Sequence, residues 1–157
     1  MKKVALLVLV MMLVGTLAFA ANKLDSMPVM LDDCGVRVLL EKAVIQKTYL
    51  SDEDTILTLY VIVDNQNDKE LELTNSSTVF DDWEVDSNCF IEVKAGKKKK
   101  DTITVHYEQA MLDSLSDVNI MTVPFNVFLG GDIFDAQHPD SKPVSGHWLK
   151  QNLITEK

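Results

Sequence analysis

The chain is dominated by short segments in which apolar and polar residues alternate with a period of two, as in half-buried β-strands. In the segment TILTLYVIVDNQN, one face carries Leu57, Leu59, Val61 and Val63. Apolar residues also occupy the opposite face, which predicts a central strand that is covered on both sides. The run of asparagine and aspartate at residues 64–68 is a turn signal that ends this strand.

Other segments predict further strands. They are VRVLLEKAVIQKTYL (36–50), KELELTN (69–75), STVFDDWEVDSNCFIEV (77–93), DTITVHY (101–107) and MTVPFNVFLGG (121–131). The alternation slips near Lys42, which suggests a bulge, and Pro124 cannot donate a ladder hydrogen bond, which suggests an edge strand or a bulge. Residues 108–117 form the one plausible helical turn.

Short strands separated by turn signals, with almost no helix, predict an all-β sandwich. A closed barrel is the alternative architecture. We expect one β-sandwich domain over residues 36–135, preceded by a lead segment (21–35) and followed by a polar tail or final strand (136–157).

The first twenty residues predict a secretory signal peptide. Lys2 and Lys3 precede an apolar stretch at residues 4–14, and Ala18-Phe19-Ala20 is a small-x-small cleavage site. The apolar stretch is too short to be preferred as a spanning helix, so we expect cleavage after Ala20 and no membrane insertion of the mature chain. The predicted location is outside the cytoplasm: secreted, surface-associated or periplasmic.

Charge narrows the range of partners. The full chain has 15 Lys+Arg and 24 Asp+Glu, a formal net charge of −9, and removal of the signal makes the balance still more acidic. Such a surface repels phosphate backbones, so nucleic acid is not an expected partner.

Two cysteines, Cys34 and Cys89, remain in the mature chain. In an oxidising compartment an even pair predicts one disulfide, and two buried free thiols are the alternative. Neither cysteine lies in a C-x-x-C motif or beside a histidine, so we do not expect a catalytic thiol.

The order of these segments resembles small secreted bacterial domains with an immunoglobulin-like β-sandwich. The resemblance covers residues 36–135 and rests on three segments: LYVIVDNQNDKELEL, the AGKKKK turn before DTITVHY, and the link EQAMLDSLSDVNIMTV before PFNVFLGGDIFD. It implies an immunoglobulin-like fold and a non-catalytic extracellular module without an assigned ligand. It carries no functional residues over to this chain.

Acidic turns offer oxygen ligands for a structural calcium ion. The candidates are Asp52, Asp54, Asp64, Asp68, Asp81 and Asp82. None lies in a complete calcium-loop motif, and solvated turns are the simpler interpretation. We predict no other cofactor.

Two features are candidates for binding. Trp83, beside two aspartates, could contact a carbohydrate, although packing at the rim of the sandwich is the simpler explanation. The four consecutive lysines, Lys97, Lys98, Lys99 and Lys100, could contact an anionic polymer or an acidic patch on a partner. Their position at the entry of a strand favours a solvated turn that keeps a sheet edge soluble.

The sequence shows no nucleophile motif, and His106, His138 and His147 fit no recognised metal or triad spacing. We therefore expect a non-enzymatic exported module that binds a protein or a cell-surface glycan, or that supports structure. A calcium-stabilised carbohydrate-binding or adhesion module is the alternative, and a small secreted hydrolase is a weaker one.

Overall fold

The computed structural model describes residue 24 and residues 26–47, 54–108, 115, 117–131 and 136–156. The predicted signal peptide, most of the predicted helical turn at 108–117, and the calcium candidate Asp52 lie outside these residues.

Within the described residues, ten strands and one helix have defined bounds. They are β1 (Val29–Asp33), β2 (Val36–Lys47), β3 (Asp54–Asn65), β4 (Leu71–Phe80), β5 (Trp83–Val93), β6 (Lys98–Glu108), β7 (Ile120–Thr122), β8 (Asn126–Leu129), β9 (Val144–Ser145), α1 (Gly146–Asn152) and β10 (Leu153–Glu156).

The strands form a hydrogen-bonded path in the order β1-β2-β3-β6-β5-β4-β7-β9, with β10 beside β2 and β8 beside β4. All pairs are antiparallel except β10 with β2. Strand β5 joins two halves, because it pairs along its length with β4 but with β6 only at Ser87 and Asn88. The prediction of an all-β fold is confirmed.

One hydrophobic core contains buried apolar residues from the strands of both halves. The predicted face of β3 points into it, since Leu57, Leu59, Val61 and Val63 are at most 1% exposed. On β6, Ile103 and Val105 are fully buried and His106 is exposed, as the alternation predicts.

The predicted bulge in the first long strand is confirmed. The register between β2 and β3 shifts between Leu40 and Lys42, so Glu41 is the extra residue. A bulge rotates the residues that follow it relative to the facing strand. It therefore lets Ala43 and Ile45 return to the core face after Glu41.

Two strand boundaries differ from the prediction. Residues 121–131 form two short strands, β7 and β8, with Pro124 exposed between them, because proline removes a ladder donor. The segments predicted separately at 69–75 and from 77 onward are instead one strand, β4, which continues through a bulge between Asn75 and Ser77.

The terminal segments complete the sheet. The lead segment contains β1, which pairs with the first part of β2, and the C-terminal segment supplies β9, α1 and β10. Strand β10 lies parallel to the second part of β2, with Leu153 opposite Ala43. Only tertiary contact makes these short segments strands, because each is too short to form a sheet alone.

The predicted disulfide is wrong in this structure, which holds Cys34 and Cys89 as two free thiols. Cys34 lies in the β1–β2 turn, where its carbonyl accepts from the side-chain amide of Asn67, and the neighbouring Asn65 contacts the carbonyl of Val93 at the same end of the sheet. Cys89 is four residues from Val93 along β5, or about 13 Å at the usual rise of a strand. A bridge requires Cα atoms within about 7 Å.

Within the described residues, no helix is both long and apolar enough to cross a membrane.

Candidate binding groove

An open groove of about 400 Å³ lies on the outer face of β2, β3 and β6. We call it the lysine groove. It is lined by Leu24, Met27, Glu41, Ile62, Lys98, Lys99 and Lys100. It brings together three of the four lysines of the predicted run with apolar side chains that are far from them in the sequence.

A tight turn directly precedes the lysines of the groove. Gly96 adopts a φ of 63°, and the amide of Lys97 donates to the carbonyl of Lys94 over 3.1 Å. Strand β6 then begins at Lys98, which lies opposite Asp64, while Lys100 lies opposite Ile62. The prediction that the run occupies a turn and the exposed start of a strand therefore agrees with the fold.

Each lysine of the groove pairs with an acid. The ammonium of Lys98 is 2.9 Å from the carboxylate of Asp64, and that of Lys99 is 2.8 Å from Asp101. The three lysine side chains are 64%, 45% and 68% exposed in chain order. Pairs this exposed contribute only about 0–1 kcal/mol because water and salt screen them.

The third pair crosses the outer face of β3. Lys100 donates to both carboxylate oxygens of Glu41, at 2.7 and 2.9 Å, and the two residues are 59 positions apart. Strand β3 separates their strands, and Ile62, which is half-buried, lies opposite Lys100. The bulge at Glu41 thus contributes an acidic residue to a groove whose rim is basic.

The segment before β1 forms the apolar floor of the groove together with Ile62. Met27 is 9% exposed and Leu24 is 37% exposed. The segment is held to β2 by a hydrogen bond from the amide of Leu40 to the carbonyl of Pro28, at 2.9 Å. The groove therefore combines an apolar floor with a charged rim.

Two asparagines, the buried Asn65 and the half-buried Asn67, lie next to the turn at residues 94–97, which we call the lysine turn. We call the two residues the asparagine cluster. The side-chain amide of Asn65 donates to the carbonyls of Lys69, Val93 and Lys94 at 2.8, 3.0 and 3.3 Å. Its carbonyl oxygen accepts from the backbone amide of Asn67 at 3.0 Å. The cluster thus connects the β3–β4 turn to the β5–β6 turn that carries the lysines.

Asn67 extends these connections to a third turn. Its side-chain amide donates to the carbonyls of Cys34 and Gly35, at 3.0 and 3.2 Å. The backbone amide of Asn65 donates to the carbonyl of Lys97 at 2.9 Å. The sequence identified these asparagines only as a turn signal, since their partners come from distant turns.

The four calcium candidates whose side chains are described do not come together as one site. Asp64 pairs with Lys98, and Asp81 accepts the backbone amides of Asn119 and Ile120 at 3.0–3.1 Å. Asp68 and Asp82 are exposed in separate turns, and only the backbone of Asp54 is described. Across the described residues, no three His, Cys, Asp or Glu side chains form a metal-binding group.

Exposed aromatic residues lie away from the groove. Trp83, the predicted carbohydrate contact, is 51% exposed next to the β4–β5 turn. Phe90 is 62% exposed on β5 and was not predicted as a site residue. The alternation of Cys89, Ile91 and Val93 toward the core would have placed Phe90 outward.

The three histidines lie apart. His106 is exposed on β6, and His147 is exposed on α1. His138 contacts Asn126, with 2.8 Å between Nδ1 and the amide oxygen.

No protein-family model and no curated protein matches the chain. The solved structures that resemble it include the following two. One is the candidate lipoprotein ycdA of Bacillus subtilis, at 10% identity and a TM-score of 0.47 over 78% of this chain and 41% of ycdA. The other is the GAE domain of yeast GGA1, at 12% identity and a TM-score of 0.41 over 76% of this chain and 98% of that domain. The chain thus spans about two fifths of ycdA.

Proposed function

We propose that the chain is an exported, non-catalytic domain of the immunoglobulin-like β-sandwich type that binds a partner at the cell surface or in the periplasm. The observation that carries the proposal is the lysine groove, in which exposed lysines surround the apolar side chains of Leu24, Met27 and Ile62. Export is supported by the charged, apolar and small-x-small segments of residues 1–20.

The groove suits binding because its floor is held by packing and a hydrogen bond, whereas its rim is exposed. Met27 and the bulged strand β2 fix the floor, through burial and through the Leu40 to Pro28 hydrogen bond. The rim consists of exposed ion pairs that can exchange partners at small cost. An apolar surface with a few charged groups at its edge is the usual composition of a binding site.

Site-specific cross-linking in cells that produce the full chain tests the proposal. A photoreactive amino acid would replace Leu24, which lines the groove, or Ser76, which is exposed on β4 as the matched control. We expect adducts from position 24 and none from position 76. The adducts should disappear when residues 97–100 are all changed to serine.

Adducts that survive the four serine substitutions, or that form equally at Ser76, would contradict the groove as the binding site. Fractionation of the same cells tests export separately. We expect the chain outside the cytoplasm with Ala21 at its N-terminus, and retention of the unprocessed chain in the cytoplasm would refute that part.

A carbohydrate-binding or adhesion module stabilised by calcium is the second candidate, because the exposed Trp83 is beside the exposed Asp82. The chain has two tryptophans, so the change Trp148→Phe leaves Trp83 as the only fluorescent indole. A fluorescence change with soluble glycans that requires Trp83, and a rise in Tm with calcium, would support this candidate over the first.

A further inference from the structure

We infer that the lysine groove takes an extended acidic protein segment in which carboxylates flank an apolar side chain. This inference rests on the proposed function, and it names the chemistry of the partner. It depends on the charge of the rim, on the apolar floor and on the acids that already occupy the rim.

The rim is complementary to carboxylates. Lys98, Lys99 and Lys100 are 45–68% exposed. Lys97 does not line the groove, but it is exposed in the turn next to Lys98 and makes no ion pair with any residue that the structure describes. A partner carboxylate can therefore contact Lys97 without displacing an internal acid, and it can exchange with Glu41 for Lys100. On a chain of net charge −9, the lysine run also orients an acidic partner toward this face.

The apolar floor favours a peptide over a phosphate-rich polymer as the ligand. Leu24, Met27 and Ile62 present apolar surface between the charged groups. A leucine or phenylalanine side chain of a peptide can cover that surface, whereas a polymer of repeated phosphates has no apolar group to place there.

The acidic side chains of the rim would repel a polymer with closely spaced negative charges. Glu41, Asp64 and Asp101 each lie within 3 Å of a groove lysine. A chain of closely spaced phosphates would face all three of these carboxylates at short range. A peptide with two carboxylates can contact Lys97 directly and replace Glu41 at Lys100, so it faces fewer of these acids than a polyphosphate does.

Fluorescence anisotropy with defined probes tests the inference on the full chain, purified as the producing cell leaves it. The first probe is a labelled nine-residue peptide with a glutamate on each side of a central leucine. Two further peptides carry glutamine in place of both glutamates, or serine in place of the leucine. Inorganic polyphosphate of similar length is the fourth probe.

We expect the first peptide to bind best and to weaken about tenfold when either its glutamates or its leucine is replaced. The protein variant Lys98→Ser/Lys100→Ser should also weaken it about tenfold, since two exposed charge pairs are lost. The matched control Lys142→Ser/Lys150→Ser removes the same charge from exposed positions elsewhere and should leave binding unchanged. Binding should fall as salt rises.

Three results would overturn the inference. The first is equal binding of the glutamine peptide. The second is binding of polyphosphate that is tighter than that of the peptide and depends on the lysines. The third is a lysine-dependent dimer in sedimentation, which would assign the groove to a second copy of the chain. If no peptide binds while lysine-dependent cross-links from position 24 persist in cells, this inference fails and the proposed function stands.

Discussion

The asparagine cluster and the lysine groove are neighbours that both contain polar residues, but these residues have opposite roles in the two regions. Asn65 is fully buried, and both its amide nitrogen and its carbonyl oxygen have partners within the fold. Lys100 is 68% exposed, and its one acidic partner can be replaced by another acid. A polar residue whose hydrogen bonds are satisfied by buried backbone stabilises the fold, whereas one with an exposed charge remains available to a ligand.

Replacement of Asn65 should have the largest effect on stability. The change Asn65→Leu leaves the carbonyls of Val93 and Lys69 without their donor in a buried site, and we expect a loss of about 3 kcal/mol in the free energy of unfolding. Denaturant titration measures this loss. The exposed neighbour Gln66→Ala is the control and should change stability by less than about 0.5 kcal/mol. Equal effects of the two changes would remove the contrast between the cluster and the groove.

Alanine substitution of two glycines that share a left-handed backbone conformation compares how tightly the two regions are packed. Gly35 has a φ of 68°, and an added Cβ would lie 2.6 Å from Oδ1 of Asn67, which hydrogen bonds hold in place. Gly96, in the lysine turn, has a φ of 63° and open space around it. We expect Gly96→Ala to cost about 1 kcal/mol, for the left-handed backbone alone. The change Gly35→Ala should cost about 1 kcal/mol more, from the contact with Asn67.

Thermal and denaturant unfolding of the two alanine variants measure the difference. If Gly96→Ala lowers the free energy of unfolding as much as Gly35→Ala does, the lysine turn is as tightly packed as the asparagine cluster. That result would contradict the view that the lysine turn is open to a ligand.

Removal of the lysines should affect stability least. Serine at all four positions, residues 97–100, removes three exposed ion pairs, and we expect a change of less than about 1 kcal/mol in the free energy of unfolding. The same variant should lose the cross-links from position 24. A large fall in Tm would mean that the run is needed for folding and would undermine its assignment to binding.

The two cysteines also differ in burial, and this difference should be visible in their reactivity. Burial is the main cause that raises the pKa of Cys89 to about 12. The pKa of Cys34 is also raised, by partial burial and then by the charge of Asp33 and its hydrogen bond. At pH 8 we expect iodoacetamide to label Cys34 faster than Cys89, with both labelled in denaturant. Mass spectrometry counts the adducts. If the unlabelled protein, without reductant, is two hydrogens lighter than the reduced protein, the predicted disulfide is present after all.

Alkaline pH should reveal the burial of Cys89 as a loss of stability. Above pH 9.0, the ordinary pKa of the thiol, the unfolded chain releases a proton that the folded chain keeps up to about pH 12. Rising pH in that interval therefore lowers the free energy of unfolding. The variant Cys89→Ala should show a shallower decline, and an unchanged slope would contradict the burial of this thiol.

Local pattern was sufficient for the long strands and insufficient for the short ones. Leu57 and Ile103 were placed correctly because side chains alternate across a strand, and the bulge near Lys42 was visible as a break in that alternation. Strand β1 was not predicted, and β10 was predicted only as one of two alternatives for the C-terminal segment, because each depends on pairing with β2. The Cys34–Cys89 bridge was inferred from composition and compartment, which contain no distance between the two residues.

The candidate site was predicted in part. The lysine run was recognised as exposed, but its apolar floor was not, since Met27 and Ile62 meet the lysines only when β1, β3 and β6 assemble. The aspartates were grouped as calcium candidates by their residue type. The fold instead gives Asp64 an ion pair and Asp81 three backbone contacts, which no local pattern indicates.

By itself, the sequence determined the all-β class, the inward faces of the long strands, the exposed position of the lysines and the acidic charge of the chain. These follow from residue type and from the two-residue period of a strand, which are local properties. Only the tertiary structure decided that Glu41 meets Lys100 across 59 positions and that Asn65 reaches Val93 across 28. Such contacts depend on strand order and register, which arise when distant segments bury their apolar faces together.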